Sequence, residues 1–140
     1  MTRAEINLLF AGREQGYRDH DAATLAASHC ADGVIVSPIF GRVQGRVAIE
    51  QTYRDLFKRF ADWTVHTEDL IADGDRAAQV FRVTATHTSE LFGLKATGRR
   101  LEIHGVLFFQ LENGRIQQER RLYDFTGMLV QLGVLKARTT

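Results

Sequence analysis

The chain has 140 residues, 44% of them hydrophobic and 25% charged, with a net charge of +1. That length suits one domain over residues 1–140 with a core of its own. The near-neutral balance leaves no field for nucleic acid or a membrane surface to follow. The lone Cys30 cannot close an internal disulfide and points to a reducing, cytoplasmic setting. No stretch is apolar for the length of a membrane span. Residues 1–10, which include Arg3 and Glu5, do not read as a signal peptide.

Residues 4–17 place Ile6, Leu9, Phe10 and Tyr17 on one helical stripe. Tyr17 closes that stripe, either as core or with its hydroxyl in a pocket. A turn at Asp19-His20-Asp21 leads to a second helix over about residues 22–29, with Asp21 as N-cap. His20 reads as a solvated turn residue, and His29 as a residue at the rim of the core. A short strand, Val34-Ile35-Val36, ends at Ser37-Pro38, since proline has no N–H for a ladder. Ser37 is then either turn chemistry or a hydroxyl donor at a strand mouth. Residues 40–45 read as a loop. The third helix, residues 47–60, carries Ile49, Tyr53, Leu56, Phe57 and Phe60 on its apolar stripe.

Strands follow. The first, residues 63–72, puts Trp63 and Val65 on one face and His66 on the other, and Asp73-Gly74-Asp75 turns it back. Residues 76–88 alternate, with Phe81, Val83 and Ala85 inward and His87 continuing that series. Residues 91–98 form a loop. From Leu101 to Leu111 the odd positions are apolar or glycine, which marks the core face of a long hairpin turned at Asn113-Gly114.

The hairpin turn has two readings, and a one-residue slip swaps the faces. A two-residue loop pairs Glu112 with Arg115 and turns Ile116, Gln118, Arg120, Leu122 and Asp124 inward. A three-residue loop pairs Leu111 with Arg115, facing Leu107 with Glu119, Gly105 with Arg121 and Ile103 with Tyr123. The second is favoured. It lines a hollow with an acid, a guanidinium and a phenol, leaves room at Gly105 for the Arg121 stem, and frees Asp124 to cap the last helix. Three helices with one short strand among them, then a four-stranded meander and a short terminal helix, make an α+β cone. Its curved mixed or antiparallel sheet carries the three N-terminal helices on its concave face.

This layout, with ATHTSELFGLKATGRRLEIHGVLFFQLENGRI and YDFTGMLVQLG, resembles the SnoaL-like polyketide cyclase family. That family shares the fold of nuclear transport factor 2, ketosteroid isomerase and limonene epoxide hydrolase. The resemblance covers nearly the whole chain. It rests most on Thr86-His87, the strand led by Gly98, and Asp124-x-x-Gly127-x-Leu129-x-Gln131-Leu132-Gly133. What the cyclases keep as an acid/base aspartate three positions before the capping one is Arg121 here. Their facing-strand glutamine and histidine become Gly105 and Leu107, and their strand-mouth asparagine becomes Ser37. His87, Asp124 and the aromatic Tyr17 match. The resemblance also implies a homodimer, for which the outward Val106 and Phe108 beside His104 give physical grounds on the outer sheet face.

Ring closure of the cyclase kind takes a proton α to a carbonyl and needs a base near the working pH. Arginine cannot be that base, but it can hold an enolate or carboxylate as a fixed cation. His87 and Glu119 are the inward bases left. A salt bridge to Arg121 would weaken Glu119 as a base, so His87 is the better candidate. Three readings stand open. The chain is a pocket protein whose Arg121 anchors a small apolar carbonyl or acidic ligand, with Tyr17, Ser37, Trp63, Glu119 and Tyr123 around it. Or it is an enzyme with His87 as base and with Arg121, Tyr123 and Ser37 holding the oxyanion. Or it is a ligand-free dimeric subunit in which Arg121 and Glu119 form a structural pair. The scattered histidines and the absence of HxH, CxxC or HExxH spacing predict no metal, and no Gly-rich phosphate motif predicts a nucleotide cofactor.

Overall fold

The computed structural model describes residues 1–136; the last four residues of the expected domain lie outside the described part. Helix α1 (Arg3–Arg18) starts with a capping box, Thr2 accepting from the Glu5 N–H while Glu5 reaches back to Thr2. It buries Ile6, Phe10, Arg13 and Gly16, a stripe of helical period with one guanidinium in it. Helix α2 (Ala22–Ala27) begins at Asp21, whose carboxylate accepts from the Thr24 N–H. A long helix α3 (Arg46–Arg59) buries Ile49 and Tyr53.

Six strands form one sheet in the order β2-β1-β6-β5-β4-β3. They are β1 (His29–Ser37), β2 (Gly41–Gln44), β3 (Thr64–Asp73), β4 (Arg76–Thr86), β5 (Arg100–Glu112) and β6 (Arg115–Tyr123). All neighbours run antiparallel except β1 and β6. Register shifts in β1, β3 and β6 bend the sheet around the helices. Helix α4 (Phe125–Gln131) closes one end, with Asp124 capping the Gly127 N–H at 2.9 Å as expected. The expected alternation holds on β5, where Leu101, Ile103, Leu107, Phe109 and Leu111 are buried against Phe81, Val83, Ile6 and Phe10.

Two strand expectations change. The short strand is nine residues long, and residues read as a loop form β2 on its edge. The sequence of β2, Gly41-Arg42-Val43-Gln44, has one apolar side chain and therefore almost no period to read. The second helix stops at Ala27, so His29 opens a strand instead of ending a helix. It pairs in parallel with Ile116 and is fully buried.

The hairpin combines parts of both expected registers. The turn has two residues, Asn113 (φ 50) and Gly114 (φ 80), and pairs Glu112 with Arg115. Ile116 then points inward, as that register requires. A bulge at Gln117 inserts one residue, after which Glu119 faces Phe109, Arg121 faces Leu107 and Tyr123 faces Gly105. The inward set is that of the three-residue loop, reached through the two-residue one. Gly105 accordingly makes room for backbone and not for the Arg121 stem. A Cβ there would run into the Leu122 carbonyl oxygen and come within 2.7 Å of the Phe81 ring.

Candidate active-site hollow

The bulge delivers Glu119 and Arg121 side by side to the inner face of β6. Glu119 is wholly buried, and its two oxygens are held from two directions. Arg13 Nη2 of α1 donates to Oε1 at 2.9 Å, and Arg121 Nε donates to Oε2 at 2.5 Å. Burial alone would raise the Glu119 pKa, but Arg121 and then Arg13 outweigh it and hold the carboxyl at about 2. Arg13 also donates to the Ser28 hydroxyl at 2.7 Å.

His29 lies on the same cluster, its Nε2 3.4 Å from Arg13 Nη1 and 3.8 Å from Glu119 Oε1. Burial is the largest influence on it and brings its pKa down to about 3, against a smaller opposite pull from Glu119. The ring is therefore neutral, and Nε2 accepts from Arg13. Its Nδ1 and the Arg13 Nε are buried without a partner. Two guanidiniums thus face one carboxylate, with a neutral imidazole beside them.

Arg121 reaches past this cluster. Its Nη2 donates to the Tyr53 hydroxyl at 3.2 Å, which also receives the Tyr17 hydroxyl at 3.3 Å. Above it opens a cavity of about 310 Å³. Trp63, Phe60, Phe81, Phe92 and Tyr123 supply its aromatic wall, and Thr52, Asp55 and Arg59 of α3 its polar side. An annex of about 50 Å³ continues beneath, lined by Tyr17, Tyr53 and Leu107, with Arg121 at the border of both spaces. Phe40 and Phe92, on two separate loops, stack with ring centroids 5.2 Å apart beside the cavity.

Of the residues expected at the site, Arg121, Trp63 and Tyr123 line the cavity, and Tyr17 lines the annex. Ser37 does not; its hydroxyl accepts the Ile39 and Phe40 N–H groups at 3.3 Å, which is turn chemistry. Glu119 is sealed below the floor. His87 is inward and buried, yet the expected base is a staple for the loop after β4. The Thr97 N–H donates to its Nδ1 at 3.2 Å, so the proton sits on Nε2 and goes to the Leu94 carbonyl at 3.2 Å. Both ring nitrogens are engaged, and neither lines the cavity.

Asp55 lines the cavity without having been expected at the site. Its oxygen Oδ1 accepts from Gln51 at 2.9 Å, and the side chain is exposed at the cavity's polar side. With Thr52 and Arg59 it makes a second stripe on α3, at spacings of three and four, beside the apolar one. That spacing was a readable signal, but alone it looks like a solvated face. No cluster of His, Cys, Asp or Glu among the described residues could hold a metal ion, and no described helix is long and apolar enough to cross a membrane.

A family model, SnoaL-like polyketide cyclase, matches residues 13–132. Among solved structures, TsrD from Streptomyces laurentii superposes with a TM-score of 0.85 at 22% identity, covering 96% of this chain and 99% of that one. IdmH from Streptomyces antibioticus gives 0.76 at 25% identity over 91% of this chain and 97% of its own. A protein with a ketosteroid isomerase-like fold from Catenulispora acidiphila, in complex with trimethylamine, gives 0.75 at 14%, covering 94% and 97%. No curated protein matches the sequence.

The buried cluster makes stability depend on pH in one direction. His29 binds a proton below pH 6.5 when unfolded but only near pH 3 when folded, and Glu119 shifts likewise from 4.5 to about 2. In both windows the unfolded chain holds more protons, so the fold weakens on acidification, by up to about 1.4 kcal/mol per pH unit for each group. Urea midpoints should fall between pH 6.5 and 4.5 and then more steeply. His29→Gln should flatten the upper window and keep the lower one; an unchanged slope in that variant means another group titrates there.

Proposed function

The chain belongs to the SnoaL-like polyketide cyclase family, and on that premise we propose that its hollow binds a small apolar compound through one oxygen, a carbonyl or carboxylate held by Arg121. The position of Arg121 carries this reading. It is the cation at the border of cavity and annex, held from below by Glu119 and from the side by Tyr53. Its Nη1 has no hydrogen-bond partner among the described residues, and it is not among the sealed, partnerless atoms beneath the floor. An aromatic wall opposite a fixed donor suits a ring with a polar end. By the family resemblance an acid/base aspartate would stand where Arg121 is, and this reading keeps binding at that point without a base there.

Asp55 supports a second reading, in which chemistry persists with the base moved to α3. It is the carboxylate that lines the cavity, with Oδ2 unengaged among the described residues. A ligand whose carbonyl sits on Arg121 would present an α-hydrogen toward the mouth. Asp55 takes that proton and Arg121 stabilises the enolate oxygen. His87, with both nitrogens bound in its loop and outside the cavity lining, is the less accessible of the two.

The partner we assign is a second copy of the chain, docked through the outer sheet face. There Phe108 and Leu122 are 46% and 47% exposed, and a shallow apolar depression of about 410 Å³ joins them to Val80, His104 and Val106. The unpaired Cys30 suits the reducing cytoplasm.

Arg121→Leu should weaken 2-naphthoate about ten- to a hundredfold, a charged hydrogen bond's worth, and 2-acetonaphthone only a few-fold, a neutral one's, by calorimetry. Equal loss for both ligands refutes Arg121 as the anchor. For the second reading, the native chain should exchange the acetyl hydrogens of 2-acetonaphthone with deuterated water, and Asp55→Asn should slow that at least about a hundredfold at unchanged affinity. Exchange that survives in Asp55→Asn and disappears in His87→Gln returns the base to His87. Phe108→Glu should sediment as a monomer; a native chain that is already monomeric at high concentration removes the dimer.

A further inference from the structure

Resting on that binding reading, we infer that the hollow selects its ligand as an oxyanion: an apolar ring bearing an ionisable hydroxyl, a phenol or an enol, is bound deprotonated with its oxygen on Nη1 of Arg121. The ground for this is the charge count of the floor. Arg13 of α1 and Arg121 of β6 contribute two positive charges, and Glu119 contributes one negative charge. His29 of β1 adds none, because its Nε2 accepts from Arg13. Of the tyrosines near Arg121, Tyr17 donates to the Tyr53 hydroxyl, which also accepts from Arg121, and Tyr123 lines the cavity beside them; a phenol hydroxyl brings no formal charge to the count. One positive charge is therefore left over, in a place where both guanidiniums are largely out of water.

The other charges that face the hollow do not cancel it. Asp55 and Arg59 of α3 line the same cavity with opposite signs, and both are exposed at its polar side, where solvent screens them. The floor is screened far less. Arg13 is 2% exposed and Glu119 not at all, while the Arg121 side chain keeps 16%, its open part being toward the cavity. An oxygen arriving at Nη1 meets a donor already fixed through Nε and Nη2, so little reorganisation is needed to favour the ion. The hydroxyl proton leaves to solvent, and no covalent bond in the protein changes.

The inference sharpens the ligand class. A neutral ketone gains only a hydrogen bond, whereas a phenolate or enolate gains the uncompensated charge as well. Glu119 and Arg13 are then positioning residues: they touch no ligand, but they set both the aim of Arg121 and the net charge beneath it.

The probe is 4-nitrophenol, whose ionisation is read from its absorbance, with 4-nitroanisole as the analogue that cannot ionise. Titrated in the presence of excess native protein, 4-nitrophenol should ionise about one pH unit or more below its value in buffer, which corresponds to at least about tenfold tighter binding of the phenolate than of the phenol. Arg121→Met should abolish the shift while 4-nitroanisole still binds, and Arg121→Gln serves if that variant does not fold. Binding of both probes with an unshifted or raised ionisation overturns the inference and leaves the pocket reading standing. A shift that persists in the Arg121 variants also overturns it. If neither probe binds at millimolar concentration, the pocket reading fails and the inference with it.

Discussion

A single carboxylate held between two guanidiniums fixes the interior of this protein. Taking Glu119, Arg13 and Arg121 out of water costs several kcal/mol per ion before any contact is counted. The arrangement persists because each oxygen of Glu119 has its own donor and each guanidinium has a further partner, Ser28 for Arg13 and Tyr53 for Arg121. Aromatic faces complete the solvation. The Arg13 guanidinium lies 5.3 Å from the Phe109 ring centre, and that of Arg121 lies 5.6 Å from Tyr53. The cluster joins α1, α3, β1 and β6, so the relative placement of helices and sheet is tied to the aim of one side chain at the hollow. Removal of Glu119 would leave two buried guanidiniums without a counter-charge, a penalty of about 3–5 kcal/mol.

How much of this could be read from the sequence follows from the range over which each signal acts. The alternation on β5 is local, and it located the core face residue by residue. The Asp124 cap is local too. The hairpin was harder because both turn lengths agree with the pattern of part of β6. Ile116 is inward by one register and Glu119 by the other, and they are three apart, a spacing that no unbroken strand allows on one face. A bulge reconciles them, and Gln117, neutral and polar, gives no sign of being the extra residue.

His87 is likewise placed by contacts beyond the reach of its strand pattern. An imidazole at the inner end of a strand reads as a base, but its partners, Leu94 and Thr97, lie in a loop whose path no period encodes. Arg13 shows the opposite case. An arginine in the buried stripe of Ile6, Phe10 and Gly16 is anomalous on sequence grounds, and the anomaly marks the floor of the hollow. A charged residue that breaks an apolar period is thus a pointer to the hollow beside residues chosen for their chemistry.

Depth then decides what each charged group can do. The same unit charge acts several times more strongly in the low-dielectric floor than at the wetted mouth. Arg121 is fixed by two hydrogen bonds, whereas among the described residues Asp55 is tied only through Gln51 on its own helix. On the proposed binding reading, a ligand entering this space would be oriented from below, with its oxygen at the guanidinium and its ring along Phe81, Trp63 and Tyr123. Groups at the mouth meet whatever part of the ligand remains. The order in which the fold assigns these tasks, orientation at the floor and any proton handling at the rim, is set by the bulge that points residues 119, 121 and 123 inward while the turn itself keeps its two-residue geometry.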